Sequence, residues 1–352
     1  MPQCARQHPR CEAGEHMAAY KARLVATHIQ TLLAQSHYLL GQQEAPAANL
    51  ATTVPKPLVV GVQGPQGSGK TTLTRRVVEA LAASGGSGGQ RPLNVTVFSV
   101  DDFYLPFDGL ERVARENSGN GLLQGRGQPG THDVQLCSDI LSSLETINSG
   151  TSSTVELPVF DKSQNGGRGD RLSKTVIVTA PLDLVLFEGW CLGFQSLSPG
   201  DLQRRYREAT RDAAAGQCSS LTFAKHSLAH LEAINEHLRR IEEAWYPYIH
   251  AFVQLVPTAA ASQPSSRGDG AAKPATALRT VFDWRLEAEH AMKAHNGGKG
   301  MTDEEVYAFV ERYMPGYELF GEGVIAASAP WAGKVLRIGL GTDREVTAVD
   351  YC

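Results

Sequence analysis

No apolar run in the 352-residue chain approaches the roughly 20 residues that a bilayer requires, so no membrane-spanning helix is expected. CxxC and CxxH pairs are also missing, the six cysteines standing at 4, 11, 137, 191, 218 and 352. That scatter excludes a zinc ribbon and reads as reduced thiols in a reducing compartment, not as a disulfide framework. Nor is there any basic excess. With 33 Lys+Arg against 37 Asp+Glu, the formal net charge of -4 argues against nucleic-acid binding, which needs a positive surface. Charged residues make up only 20 % and hydrophobic ones 42 %, too apolar a balance for a disordered chain. The 35 glycines follow no three-residue period and no apolar heptad is sustained, which excludes collagen and coiled coil. The first sixteen residues have no apolar centre, so no secretory signal is expected. Glu12, Glu15 and the lack of serine there argue against organelle targeting. A cytoplasmic location is the expectation, with the chloroplast as the alternative.

What is present is a run of alternating strand and helix patterns. Val25, Ile29, Leu32 and Leu33 recur at helical spacing within residues 17–40 and predict an amphipathic helix, followed by a Pro/Ala linker at 45–57. Residues 58–62 are Leu-Val-Val-Gly-Val, the pattern of a strand buried on both faces of a parallel sheet. A glycine loop and a helix over 70–83 follow, and then a Gly/Ser stretch at 84–89 that reads as a flexible surface loop. Further strands are predicted at 94–100 and 182–187. Leu228, Leu231, Ile234, Leu238, Ile241 and Trp245 form one helical stripe. Thr302 and Glu305 make a capping box for another helix, with Val306, Phe309, Val310 and Tyr313 inward and Pro315 ending it. Segments 335–340 and 345–349 suggest a hairpin. The expected fold is α/β, a parallel sheet flanked by helices with a phosphate-binding loop, an N-terminal helix and a helical lid region. Its expected division is an N-terminal extension over 1–57 and a main α/β domain over 58–352, with a flexible insertion at 257–278.

Gly64-Pro65-Gln66-Gly67-Ser68-Gly69-Lys70-Thr71 fits GxxxxGK[ST], and Thr72 follows it. Glycines let consecutive amide N–H groups converge on phosphate oxygens, and the helix behind them adds its positive end. Lys70 can reach the β and γ phosphates, and the Thr71 hydroxyl can ligate Mg²⁺. Asp101 and Asp102 close the next strand, where carboxylates face the ligand crevice. One could take a proton from an attacking hydroxyl while the other orients metal-bound water; the alternative is that the pair merely caps the loop. Glu188, after an apolar strand, has the position of a metal-assisting carboxylate. Two loops, 122–133 and 161–171, set arginines among glycines. Arg126, Arg168 and Arg171 there suit a small carboxylate or phosphate. Arg285 and Lys299 are candidate lid cations, whereas Arg204, Arg205, Arg207 and Arg211 read as a solvated helix face. No Asn-Lys-x-Asp guanine reader occurs, which argues against a GTPase switch.

Seven strings together resemble the D-glycerate 3-kinase family of plants and fungi, P-loop kinases related to uridine, pantothenate and phosphoribulose kinases. They are GPQGSGKTT at 64–72, SVDDFYLP at 99–106, LLQGRGQPGTHD at 122–133, FDKSQNGGRGDR at 160–171, LVLFEGWCLGF at 184–194, DWRLEAEHAM at 283–292 and KGMTDEEVYAFVERYMPGY at 299–317. The resemblance implies ATP-dependent phosphorylation of a small hydroxy acid with Mg²⁺, by a chain expected to be monomeric and to bind neither nucleic acid nor membrane. It implies Asp101 as the base, with Lys70 and Glu188 beside it and Thr71, Asp101 and Glu188 serving the metal. The matching strings further imply acceptor-binding roles for Asp102, Tyr104, Arg126 and His132, and for Asp161, Lys162, Arg168 and Arg171. Other acceptors, such as a nucleoside, pantothenate or a sugar, are the alternative, as is an ATP-binding protein without small-molecule turnover.

Overall fold

A computed structural model describes residues 5–7, 15–42, 56–84, 91–215, 221–258, 277–295 and 297–352. Most of the expected linker at 45–57, of the Gly/Ser stretch at 84–89 and of the 257–278 insertion lies outside the described residues. In chain order the elements are β1 (Ala5–Gln7), α1 (Met17–Gln42), β2 (Leu58–Gln63), α2 (Lys70–Ser84), β3 (Val95–Ser99), α3 (Phe107–Glu116), α4 (Val134–Thr146), β4 (Thr154–Asp161), β5 (Asp170–Thr179) and β6 (Leu184–Gly189). They continue with α5 (Pro199–Ala214), α6 (Leu228–Trp245), β7 (Ala251–Pro257), α7 (Thr280–His295), α8 (Asp303–Glu311), α9 (Met314–Phe320), β8 (Val335–Leu340) and β9 (Val346–Tyr351).

Seven strands form one sheet in the order β1-β9-β8-β7-β2-β6-β3. The five from β8 to β3 are parallel, and β9 and β1 add antiparallel at one edge. All six residues of β2 are buried, as its apolar run predicts, and Val60 lies opposite Leu186 of β6 and Ala251 of β7. Alternation sends Leu58, Val60 and Val62 into a core with α1 and α2, and Val59 into the larger core that holds Leu141, Phe187 and Trp245. Val25 and Ile29 of α1 are fully enclosed in the first of these, each contributing about 1.5–3 kcal/mol. The N-terminal helix is therefore packed on the same sheet as the phosphate-binding loop. No helix among the described residues is long and apolar enough to cross a membrane.

Several sequence expectations are corrected. Pro315 does not end α8; it sits in the first turn of α9, where a missing N–H costs no hydrogen bond. Pro257, expected to open the insertion, is the last residue of β7. The hairpin of β4 and β5, a separate two-stranded sheet, was not legible as strands, because the polar 161–171 loop dominates its pattern. Cys352 is disulfide-bonded, against the expectation of six free thiols, whereas Cys137 and Cys191 are free and buried. Sequence spacing hides what the β1–β9 register does, bringing Ala5 opposite Tyr351 and the chain ends together.

Candidate active site

Three parallel strands end at one cleft of about 1330 Å³. From β2 comes the 64–71 loop, from β3 the turn Val100–Phe103, and from β6 Glu188. Gln66, Gly67, Gly69, Lys70, Thr71 and Thr72 line the cleft, while Gly64, Pro65 and Ser68 are buried behind it. Gly67 is left-handed at φ 74°, and a Cβ there would lie 2.6 Å from the Trp284 carbonyl carbon, so this position demands glycine. Lys70 folds back on its own loop, donating to the Gly64 carbonyl at 2.8 Å and the Pro65 carbonyl at 3.2 Å.

The two neighbouring aspartates part company at the end of β3. Asp102 accepts from the Ser99 amide at 2.9 Å, while the Ser99 hydroxyl accepts from the Asp101 amide at 3.2 Å. Asp102 is thus held as a cap and does not line the cleft, which corrects its expected contact with the acceptor. Asp101 enters the cleft and pairs with Lys162 at 2.5 Å. Burial alone raises the Asp101 carboxyl, but the Lys162 ammonium, His132 and the Tyr104 hydroxyl outweigh it and hold the carboxyl below its ordinary value. Glu188 differs: burial raises its carboxyl above the ordinary glutamate value, with Lys70 opposing. Burial lowers the Lys70 ammonium, against the pull of Glu188 and Asp101. Asp101's charge raises Lys162. Two carboxylates and two ammonium groups thus meet at the ends of β3 and β6.

Arg126 and Arg168 line the facing wall. Arg126 donates Nη1 to the Gly167 carbonyl at 2.7 Å, and Arg168 pairs with Glu111 and lies 5.0 Å from the Phe107 ring centroid. Three other expected acceptor groups are not among the residues that line the cleft, and their side chains are engaged elsewhere. Arg171 of β5 donates to Asp133 at 3.1 Å and to the Tyr104 carbonyl at 2.9 Å. His132 is buried, stacks on Tyr104 at 4.5 Å, and burial pushes its imidazole down to about 4, so it is neutral. Asp161 accepts from the Ser163 amide at 2.9 Å and from Gln164 at 2.8 Å, closing the turn between β4 and β5. Tyr104 itself lines the cleft.

Arg285 and Lys299 do line the cleft, Arg285 pairing at 2.7 Å with the buried Glu289. Arg312 was not singled out from sequence, although it lies just past the helix whose inward face was predicted. Its guanidinium donates to the Gln124 carbonyl at 2.8 Å and the Arg126 carbonyl at 3.1 Å, and it lines the cleft. The loop it holds is further fixed by Trp190, whose indole donates to the Gly127 carbonyl at 3.1 Å. Gly127, at φ 142°, has no room for a Cβ against the Tyr313 hydroxyl. Seven Lys/Arg side chains line the cleft against five Asp/Glu, a positive wall on an acidic chain. That balance suits an anionic ligand.

Comparison with known proteins yields no matching family model. A D-glycerate 3-kinase structure from Cryptococcus neoformans var. grubii is similar over 96 % of this chain and 100 % of that one, with 36 % identity and a TM-score of 0.78. The probable ATP-dependent kinase TDA10 of Saccharomyces cerevisiae is 31 % identical over 291 residues, 82 % of this chain and 87 % of the relative. The chloroplastic D-glycerate 3-kinase of Arabidopsis thaliana is 34 % identical over 295 residues, 82 % of this chain but only 53 % of the relative. This chain therefore spans about half the length of that plant protein.

Proposed function

Because the chain belongs to the D-glycerate 3-kinase family of P-loop kinases, we propose that it transfers the γ-phosphoryl group of ATP to the 3-hydroxyl of D-glycerate, giving 3-phosphoglycerate. Kinase activity comes with that membership; the cleft supports the class of acceptor. The observation that carries it is the pair Arg126 and Arg168 on the wall of the cleft that Asp101 and the phosphate-binding loop also line. A guanidinium fork takes a carboxylate in bidentate fashion, so a small hydroxy acid held there offers its far hydroxyl to Asp101.

In this mechanism the loop amides and the N-terminus of α2 bind the triphosphate. Lys70 exchanges the Gly64 and Pro65 carbonyls for a phosphate oxygen, the stronger acceptor. Asp101, kept ionised by Lys162, accepts the proton of the attacking hydroxyl. The transferred group is loosely bonded in the transition state, so positioning and charge stabilisation do most of the work. Arg285, Lys299 and Arg312 supply cations from the lid side and help exclude water. The oxygen donors present fit Mg²⁺: the exposed Thr71 leads α2, and the carboxylates of Asp101 and Glu188 line the same cleft. Few protein ligands suffice, since Mg²⁺ keeps several waters and shares substrate phosphates. When bound, Mg²⁺ neutralises charge on the β and γ oxygens.

An acceptor panel tests the proposal. ADP release from Mg-ATP is expected to rise with D-glycerate well above its rate with uridine, pantothenate or a hexose. A larger rise with one of those, or none with any, would overturn it.

A further inference from the structure

We propose that Arg344, in the β8–β9 turn and outside every motif named above, is a positioning residue that sets the phosphate-binding loop from behind and clamps it to the lid helix α7. The inference rests on the 64–71 loop being the ATP site. Arg344 Nε donates to the Gly67 carbonyl at 2.7 Å. Its Nη1 pairs with Glu287 at 2.7 Å, and its Nη2 donates to the Trp284 carbonyl at 3.3 Å, both on α7. One fork thus joins a glycine of the loop to two residues of the lid helix. The guanidinium carbon also lies 5.5 Å from the Trp284 ring centroid, and the Trp284 indole donates to the Thr342 carbonyl at 2.7 Å, returning the contact to the turn. Lys21 of α1 donates to the Arg344 carbonyl at 2.9 Å, so the N-terminal helix braces the same turn.

The backbone sharpens the case. Arg344 has φ 60°, a left-handed conformation that a side chain disfavours and glycine adopts freely. The turn alone would be better served by glycine, and the three guanidinium bonds account for arginine. Their effect on the loop follows from peptide planarity. Holding the Gly67 carbonyl outward fixes the Ser68 N–H on the opposite side, where it donates to the Pro65 carbonyl at 3.2 Å within the loop. If that peptide turned over, the Gly67 oxygen would face the Pro65 carbonyl in place of the Ser68 N–H, and the turn that shapes the phosphate-binding loop would be lost.

The test is Arg344→Gly, which relaxes the backbone while deleting the guanidinium, with Arg344→Lys as the conservative variant. Calorimetric titration with Mg-ATP is expected to show binding weakened about tenfold in the glycine variant and partly restored by lysine, which can reach one acceptor but not three. The KM for D-glycerate at saturating ATP should stay within about twofold of wild type, since no acceptor-side group touches Arg344. Unchanged ATP affinity in both variants would overturn the positioning role, even with a lowered Tm. So would ATP affinity and acceptor KM worsening together. A wild-type protein that binds no ATP would instead overturn the proposed function.

Discussion

Replacing Asp101 by Asn is expected to lower kcat by about 10²–10⁴-fold while leaving ATP affinity nearly unchanged. Asn has the same shape and can still accept from Lys162, whose ammonium lies 2.5 Å from Oδ2 in the wild type. Cap and cleft are preserved, because Ser99 and Asp102 make the turn. The ability to take the acceptor's proton is lost, while the amide oxygen remains as a neutral donor toward Mg²⁺. Steady-state kinetics with D-glycerate, together with ATP titration, separates the two effects. Turnover within a few-fold of wild type would remove Asp101 from the role of base.

Lys162→Met is expected to have the second largest effect, a kcat lower by about 10²-fold at neutral pH, judged by the loss of a preorganised charge from a reaction centre. Lys162 is the main influence holding the Asp101 carboxyl down against burial, and it also lowers Glu188. Without it both carboxyls rise, so the acid limb of the kcat/KM profile moves to higher pH. The wild-type acid limb is expected to follow Glu188, whose carboxyl burial pushes above the usual value, because Lys162 holds Asp101 below its ordinary value. The stability effect has a definite sign. A depressed carboxyl stabilises the fold above its unfolded value, and that stabilisation disappears as pH falls through its folded value. Wild type should therefore be more stable than the variant at neutral pH, with the gap closing in acid. An unshifted acid limb with only a lower kcat would mean that Lys162 serves the acceptor and not Asp101.

The parts of this site that follow from local sequence were legible, and those set by distant packing were not. The strand, loop and helix from Leu58 to Ser84 announce themselves because burial on both faces, a glycine turn and helical periodicity are neighbours in the chain. Asp101 and Asp102 could not be separated by residue type, although Ser99 with Asp102 three residues on is itself a capping pattern. His132 and Arg171 look like ligand-binding groups in their loops. The packing of Tyr104 over His132, and the β5 position that turns Arg171 toward Asp133, engage both side chains outside the cleft lining. Arg312 meets Arg126 across 186 residues and Arg344 meets Gly67 across 277, separations that no local pattern reports. The helix and the hairpin that carry them were predicted, but the partners of their arginines were not.

In the proposed reaction the cleft presents a small hydroxy acid to the γ-phosphate through guanidinium groups while Asp101 takes its proton. Product identification after incubation with Mg-ATP and D-glycerate, by phosphorus-detected NMR with ADP measured in parallel, tests it most directly. 3-Phosphoglycerate is expected to form in step with ADP. Release of ADP at the same rate with and without D-glycerate, and no phosphorylated acid, would contradict it.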